Sequence, residues 1–190
     1  MHLQEELAQL LPNNKRDITI LDVGAGPVTC VGKAYKGLKI NLIAVDPLAD
    51  EYDKLMARYN VFPPVKTKKC DAETLTELFS ENSFDLVFAR NCIDHSYSPE
   101  KAILEMLKVT KRNCNILLVH RENEAINENY RGMHQWNFSS VNGDFIISSQ
   151  YRSVNISQKY SNICRITCNY GNWDGIEQDG GWLHVVISKF

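Results

Sequence analysis

The chain lacks any apolar run near the roughly 18 residues that a membrane helix needs, and residues 1–6 show neither the basic start nor the apolar stretch of a secretory leader. A cytoplasmic protein is therefore expected. It also lacks a strong charge of either sign. The formal net charge is −2, so nucleic acid is not an expected partner, and Lys66, Lys68 and Lys69 read as a solvated strand end. No two of the six cysteines form a Cys-x-x-Cys pair, and their scatter through apolar segments reads as buried free thiols. Cys164 and Cys168 would lie on one strand face about 13 Å apart, too far to share a metal. A Gly-x-Ser-x-Gly elbow and a Walker loop are both missing, which removes the usual hydrolase and nucleotide-triphosphatase readings.

What is present is one domain's worth of chain. At 190 residues with 44% hydrophobic composition, a single domain over 1–190 with a full core is expected. Its most informative segment is an apolar strand, residues 18–23, that runs through Asp22 into Gly24, Gly26 and Pro27. Glycines at such a turn let a ligand reach the backbone, and Pro27 suits the first turn of a helix. That predicts a helix over 27–36. The dinucleotide fingerprint Gly-x-Gly-x-x-Gly would place a third glycine at position 29, but Thr29 stands there. Asp22 beside the loop also suits a cationic, amino-acid-bearing ligand better than a diphosphate.

Strands and helices alternate from this point: strand 39–45, helix 49–59, strand 65–70, helix 73–80, strand 84–90, helix 98–111 and strand 114–121. Alternation of this kind predicts an α/β fold with a Rossmann-like, doubly wound and mainly parallel sheet. Residues 144–150 and 153–156 read as short strand pieces. Residues 162–170 and 182–189 read as an antiparallel hairpin with a Gly-rich connection. The first seventeen residues offer one short amphipathic helix, with Leu3, Leu7, Leu10 and Leu11 on a stripe.

Acids fall at the ends of successive strands. Asp46 lies about 20 residues beyond the loop, where a carboxylate can take both ribose hydroxyls of a nucleotide cofactor. Asp71-Ala72 ends the third strand, and Asn91 follows the fourth. Either acid can instead cap a helix, Asp46 before Pro47 and Asp71 before Glu73, and capping is compatible with ligand binding because a carboxylate has two oxygens.

In Asp22-x-Gly24-x-Gly26, Asp46, Asp71-Ala72 and the segment after the fourth strand, the chain resembles the class I S-adenosylmethionine-dependent methyltransferases. The resemblance spans about residues 18–190, and the run Gly132 to Phe138 looks like a bacterial subgroup of the broad small-molecule methyltransferase family. It implies a seven-stranded sheet with its last strand reversed and S-adenosylmethionine as cofactor. Asp22, Gly24 and Gly26 would hold the methionine end, Asp46 the ribose, Asp71 with Ala72 the adenine, and Asn91 would sit near the sulfonium.

Ligands of open α/β sheets lie beyond the carboxyl ends of the strands. Candidate acceptor residues are therefore Asn91, Asp94 and His95 after the fourth strand and the segment from His120 to Phe138 after the fifth, within an insertion over 120–160. For a hydroxyl acceptor a base is needed, and histidine suits that task near neutrality. His95 is the first candidate and His134 the second. Trp136 and Tyr130 could line a pocket. The alternation of His120, Glu122 and Glu124 could place three metal ligands on one strand face, but the strand should be leaving the sheet there and no metal is expected.

The reading is thus methyl transfer to a small molecule, most simply at oxygen. The rival is a non-catalytic cofactor-binding or interaction domain, favoured by an N-terminus with little to close the cofactor pocket. That leaves acceptor binding to the 120–145 segment or to the second subunit of a homodimer. A nicotinamide dehydrogenase comes third, disfavoured by Thr29.

Overall fold

Ile18, Ile20, Leu21 and Val23 are all buried because the strand they build, β1 (Asp17–Val23), lies mid-sheet with both faces covered. The computed structural model describes residues 1–173 and 181–190. Parallel to β1 on either side run β3 (Leu38–Asp46) and β5 (Phe84–Arg90). The two-residue strand β2 (Ala34–Tyr35) and β4 (Thr67–Lys69) pair with opposite ends of β3, antiparallel and parallel respectively. Beyond β5 lie β6 (Thr110–His120), β11 (Trp182–Lys189) and, at the edge, β10 (Cys164–Gly171). Among the described residues, β11 and β2 run opposite to the other strands of this sheet. The seven expected columns are therefore present, with the final strand reversed and β2 as an eighth member beside β4. The Gly-rich connection between β10 and β11 falls largely outside the described residues.

One face of the sheet packs Leu21, Val23, Val87 and Ala89 against α4 (Pro99–Val109) and α3 (Leu75–Leu78). Helix α4 forms where expected. Ser98 accepts a hydrogen bond from the Lys101 N–H, Pro99 takes the first helical position, and Ala102, Ile103, Met106, Leu107 and Val109 are buried on one side. Each large apolar side chain so buried contributes about 1.5–3 kcal/mol. Helix α2 (Ala49–Tyr59) also matches its expected bounds, whereas the expected helix 73–80 is divided into a 3₁₀ turn, Ala72–Thr74, and α3.

The opposite face is where expectation and structure part. Residues 27–36 form no helix: an irregular segment runs from Gly24 to Lys33 and ends in β2. The N-terminal segment occupies the neighbouring space. Its Leu3 N–H donates to the Ala34 carbonyl, and the Lys33 N–H donates to that of Met1. Gly32 lies so close to His2 that a Cβ there would come 1.9 Å from the His2 oxygen. Val28, Thr29 and Val31 favour extended backbone, and the Thr29 hydroxyl is drawn to Asp22. Pro27 thus begins a loop. Helix α1 covers only Glu5–Ala8, while Leu3, Leu7 and Leu11 pack with Ile18, Ile20, Leu86 and Phe88 beneath it.

Between β6 and β10 the chain builds a second, antiparallel sheet of β7 (Asn137–Val141), β8 (Asp144–Ser148) and β9 (Ser153–Asn155). The short helices α5 (Glu124–Asn127) and α6 (Ile156–Lys159) flank it. Strands β8 and β9 fall on the expected strand pieces, whereas β7 lies where no strand is expected from the sequence.

Candidate functional site

The carboxyl ends of the parallel strands carry the residues singled out by the motif. Asp22 is on β1, Asp46 ends β3, Asp71 follows β4 and Asn91 follows β5. The glycine loop joins them. Gly24 and Gly26 have φ of +68° and +66°, a region open to glycine at little cost. Their surroundings differ. A Cβ on Gly24 would lie 2.4 Å from the Cys92 sulfur, whereas one on Gly26 would meet nothing within 4 Å. Gly24 is needed for packing; Gly26 leaves its backbone accessible.

Asp46 organises the loop tip. Its Oδ2 accepts the Gly26 N–H at 3.0 Å and its Oδ1 accepts the Leu48 N–H at 2.9 Å, which also anchors the start of α2. A carboxylate has about four acceptor positions; the Tyr52 hydroxyl also interacts with this one, which leaves room for a further donor. The Thr67 hydroxyl fixes the same tip by donating to the Gly26 carbonyl. Asp22 is only 2% exposed. The Thr29 hydroxyl donates to its Oδ2 and in turn accepts the Val31 N–H. Burial pushes the Asp22 carboxyl up to about 7, against the pull of Thr29 and of Arg90.

Asp71 is exposed, and its side chain makes no capping bond to the 3₁₀ turn that it precedes. Its carboxylate faces solvent beside the half-buried Ala72. Asn91 adopts φ of +48°, with its N–H on the Val119 carbonyl. Cys92 is inert. Burial raises its thiol well above the usual range, and its sulfur sits 3.2 Å from the Val23 carbonyl.

The two histidines proposed as alternative bases are brought into contact. A 3₁₀ turn, Ile93–His95, follows β5, and the Trp136 indole N–H donates to the Ser96 carbonyl at 3.1 Å, drawing the 131–136 segment onto it. His95 Nε2 then lies 3.2 Å from His134 Nδ1. Asp94, expected on the acceptor side with His95, faces both rings and is only 2% exposed. Its burial alone would raise the carboxyl, but His120 and His95 overcome that and hold it below the usual range. His120 contributes Nδ1 at 3.6 Å from Asp94 Oδ1 and packs its ring against Phe138.

The three-ligand alternation considered for His120, Glu122 and Glu124 does not occur. β6 ends at His120, and Glu122 turns instead to the Ser140 N–H and the Tyr170 hydroxyl. Beside His95 opens a cleft of about 620 Å³ lined by Tyr97, Met133, Trp136, Tyr151 and Arg152 among others. The Arg152 guanidinium lies over the Trp136 ring at 4.8 Å. Tyr130, expected there, instead donates no lining surface and accepts a hydrogen bond from the Asn137 amide at its hydroxyl. Tyr151 and Arg152 were not anticipated; the only sequence signal is a polar turn carrying two large side chains between two strand pieces.

A largely parallel sheet, with a glycine loop and acids at successive carboxyl ends, defines a Rossmann-like domain of the nucleotide-cofactor type. The chain belongs to the methyltransferase family: a family model described as a methyltransferase domain matches residues 14–172. Among solved structures it is similar to the CurJ carbon methyltransferase, at 14% identity and a TM-score of 0.60 over 95% of this chain and 50% of that one. The citrinin polyketide synthase CMeT domain matches with the same identity and TM-score, over 97% and 49%. This chain thus spans about half the length of either. A SAM-dependent methyltransferase from Methanosarcina mazei matches over nearly its whole length, 100% of this chain and 99% of that one, at 14% identity and a TM-score of 0.55.

Family membership implies S-adenosylmethionine as the cofactor. The residues fit it at two points: Asp46 keeps acceptor capacity beyond its bonds to Gly26, Leu48 and Tyr52, and Gly26 leaves open space beside it. Among the described residues, no helix is long and apolar enough to cross a membrane.

Proposed function

We propose that this chain transfers a methyl group from S-adenosylmethionine to an oxygen of a small-molecule acceptor, in the cytoplasm and without nucleic acid as partner. The observation that carries the reading is the cleft beside His95, on the turn just past the carboxyl end of β5, the same end of the parallel strands at which Asp46 ends β3. Asp46 would take the ribose hydroxyls, Asp71 and Ala72 the adenine, Gly26 the methionine backbone, and Asn91 would lie toward the sulfonium. Asp22 supports the loop through Thr29 and lends its charge when ionised. When bound, the cofactor supplies an electrophilic methyl on a sulfonium, which departs as a neutral thioether.

The chain's own task is alignment and proton removal. His95 lines the cleft and takes the hydroxyl proton, with His134 at 3.2 Å as the alternative base. The aromatic walls and the Arg152 cation suit a flat acceptor with a negatively charged or oxygen-rich group. The insertion over 120–160 would form the acceptor side of one domain, in which a homodimer could close the exposed flank. The rival without turnover draws on one specific observation, the missing helix over 27–36.

The test is calorimetric titration with S-adenosylmethionine, S-adenosylhomocysteine and NAD, followed by an acceptor screen for methyl turnover. Micromolar binding of the first two and none of NAD is expected. A folded chain that binds neither sulfur compound overturns the reading, and binding without turnover on any acceptor favours the rival.

A further inference from the structure

Asp94 is a buried charge whose nearest side-chain donors, the imidazoles of His95, His134 and His120, all stand beyond the usual length of a charge-assisted hydrogen bond. Its side chain is 3% exposed, and neither carboxylate oxygen has a hydrogen-bond partner. Two imidazole nitrogens nevertheless converge on one of those oxygens. His95 Nε2 lies 3.3 Å and His134 Nδ1 3.5 Å from Asp94 Oδ2, and the two nitrogens are 3.2 Å apart. Charge-assisted hydrogen bonds to a carboxylate run about 2.7–2.9 Å, so these contacts are too long to be that. They are instead nearly equal, and the three atoms form an almost equilateral triangle.

The size of that triangle matches a metal ion. Tetrahedral coordination with bonds of about 2.0–2.1 Å separates ligand atoms by about 3.3 Å. Octahedral magnesium, with bonds of about 2.1 Å, brings neighbouring ligands to about 3.0 Å and favours oxygen throughout. Two imidazoles and one carboxylate select against magnesium and calcium and in favour of zinc and its first-row neighbours.

We propose that Asp94, His95 and His134 bind one divalent first-row transition ion, with a fourth position open toward the cleft. The access is there: the His95 and His134 side chains are 30% and 28% exposed, and His95 lines the cleft. The support is there as well. Asp94 and His95 sit on the turn after β5, and the 131–136 segment is fastened to it by Trp136, while the Gln135 amide donates to the Tyr130 and Gly132 carbonyls. His120 acts as a positioning residue. Its Nδ1 faces Asp94 Oδ1, the oxygen turned from the two nitrogens, and a small tightening from 3.6 Å would orient the carboxylate.

For the function proposed above, an acceptor oxygen in the fourth position would lose its proton more readily, and His95 would then serve as a ligand. Metal binding itself does not rest on that function.

The experiment uses the whole chain, stripped with a chelator and titrated with Co(II) alone, then with Zn(II). Visible d–d absorption reports coordination number, and thiolate charge-transfer bands would report binding at cysteine instead. One equivalent of Co(II) with the intense bands of four-coordination, bleached by Zn(II), is expected. His134→Gln, on an exposed segment, and Asp94→Asn should each weaken binding at least 100-fold, and His120→Ala 10- to 100-fold with the same spectrum. Circular dichroism of the metal-free variants checks that each is folded. A folded wild-type chain that takes up neither ion, thiolate bands in place of the expected ones, or binding that survives both His134→Gln and Asp94→Asn overturns the site. No cofactor or acceptor is present, so failure here leaves the methyltransferase reading standing, and failure of turnover leaves the metal site standing.

Discussion

Replacing Asp22 with asparagine should make the protein more stable at pH 8 and change it far less at pH 4. The carboxyl is pushed up to about 7 by burial, with Thr29 and Arg90 opposing the rise, whereas in the unfolded chain it titrates near its ordinary value of about 3.9. Between these values the folded state binds the proton and the unfolded state does not. Stability therefore falls as pH rises from about 4 to about 7 and levels off above that. Each unit of separation corresponds to about 1.4 kcal/mol, so the full penalty is roughly 4 kcal/mol. From pH 5 to pH 8 the share still to be lost is about 2.7 kcal/mol.

Asparagine keeps an oxygen to accept the Thr29 hydroxyl and has no charge to desolvate. Urea unfolding of both proteins at pH 5, 6, 7 and 8 gives the difference, in which the other titrating groups cancel. The difference should grow by about 2.7 kcal/mol across that range, with most of the growth complete by pH 7. Parallel curves would mean that Asp22 is already ionised at pH 5, and the argument from its burial would be refuted.

Asp46→Ala should weaken S-adenosylmethionine binding by about 1.5–3 kcal/mol, the range for losing a hydrogen-bonded charge; unchanged affinity by calorimetry in a folded variant refutes the ribose assignment. The two loop glycines should respond differently to alanine. Gly24→Ala meets both the left-handed backbone and the Cys92 side chain, and thermal unfolding should show a loss of about 2–5 kcal/mol. Gly26→Ala meets only the backbone strain, so its stability loss should be about 1–2 kcal/mol, with weaker cofactor binding; equal losses would refute the distinction.

Wherever one segment carried its own signal, the sequence sufficed. Both faces of β1, β5 and β6 are covered, so those strands read as apolar runs. Helix α4 carries its cap, its Pro99 and its apolar stripe together. The acids at the strand ends follow from that register, because a residue that ends a parallel strand is carried to the same edge as its neighbours. The helix over 27–36 failed for the opposite reason. Pro27 is a local cue for a helix start, but Gly32 has its backbone against His2, and the Thr29 hydroxyl is engaged by Asp22. Those demands are tertiary and outweigh one proline.

The cluster around Asp94 shows why contact, more than residue type, escapes a linear reading. His95 and His134 are 39 positions apart, and as separate alternatives for one role each looked complete in itself. What joins them is the bond from Trp136 to the Ser96 carbonyl, which fastens one loop to the turn that carries the other histidine. No periodicity encodes such a bond, since neither partner lies in a regular element and the carbonyl belongs to the backbone. Nor does the sequence show that Asp94 is covered: an aspartate between strand and helix reads as a solvated cap. Its unpartnered oxygens become visible only once His120, arriving from β6, closes the far side. A buried carboxylate with no close hydrogen bond is costly to fold around, and the imidazole nitrogens of His95 and His134 stand 3.3 and 3.5 Å from it. A divalent ion among these three atoms would supply the missing positive charge itself, and this is the physical reason to look for one between His95 and His134 before treating either as a base.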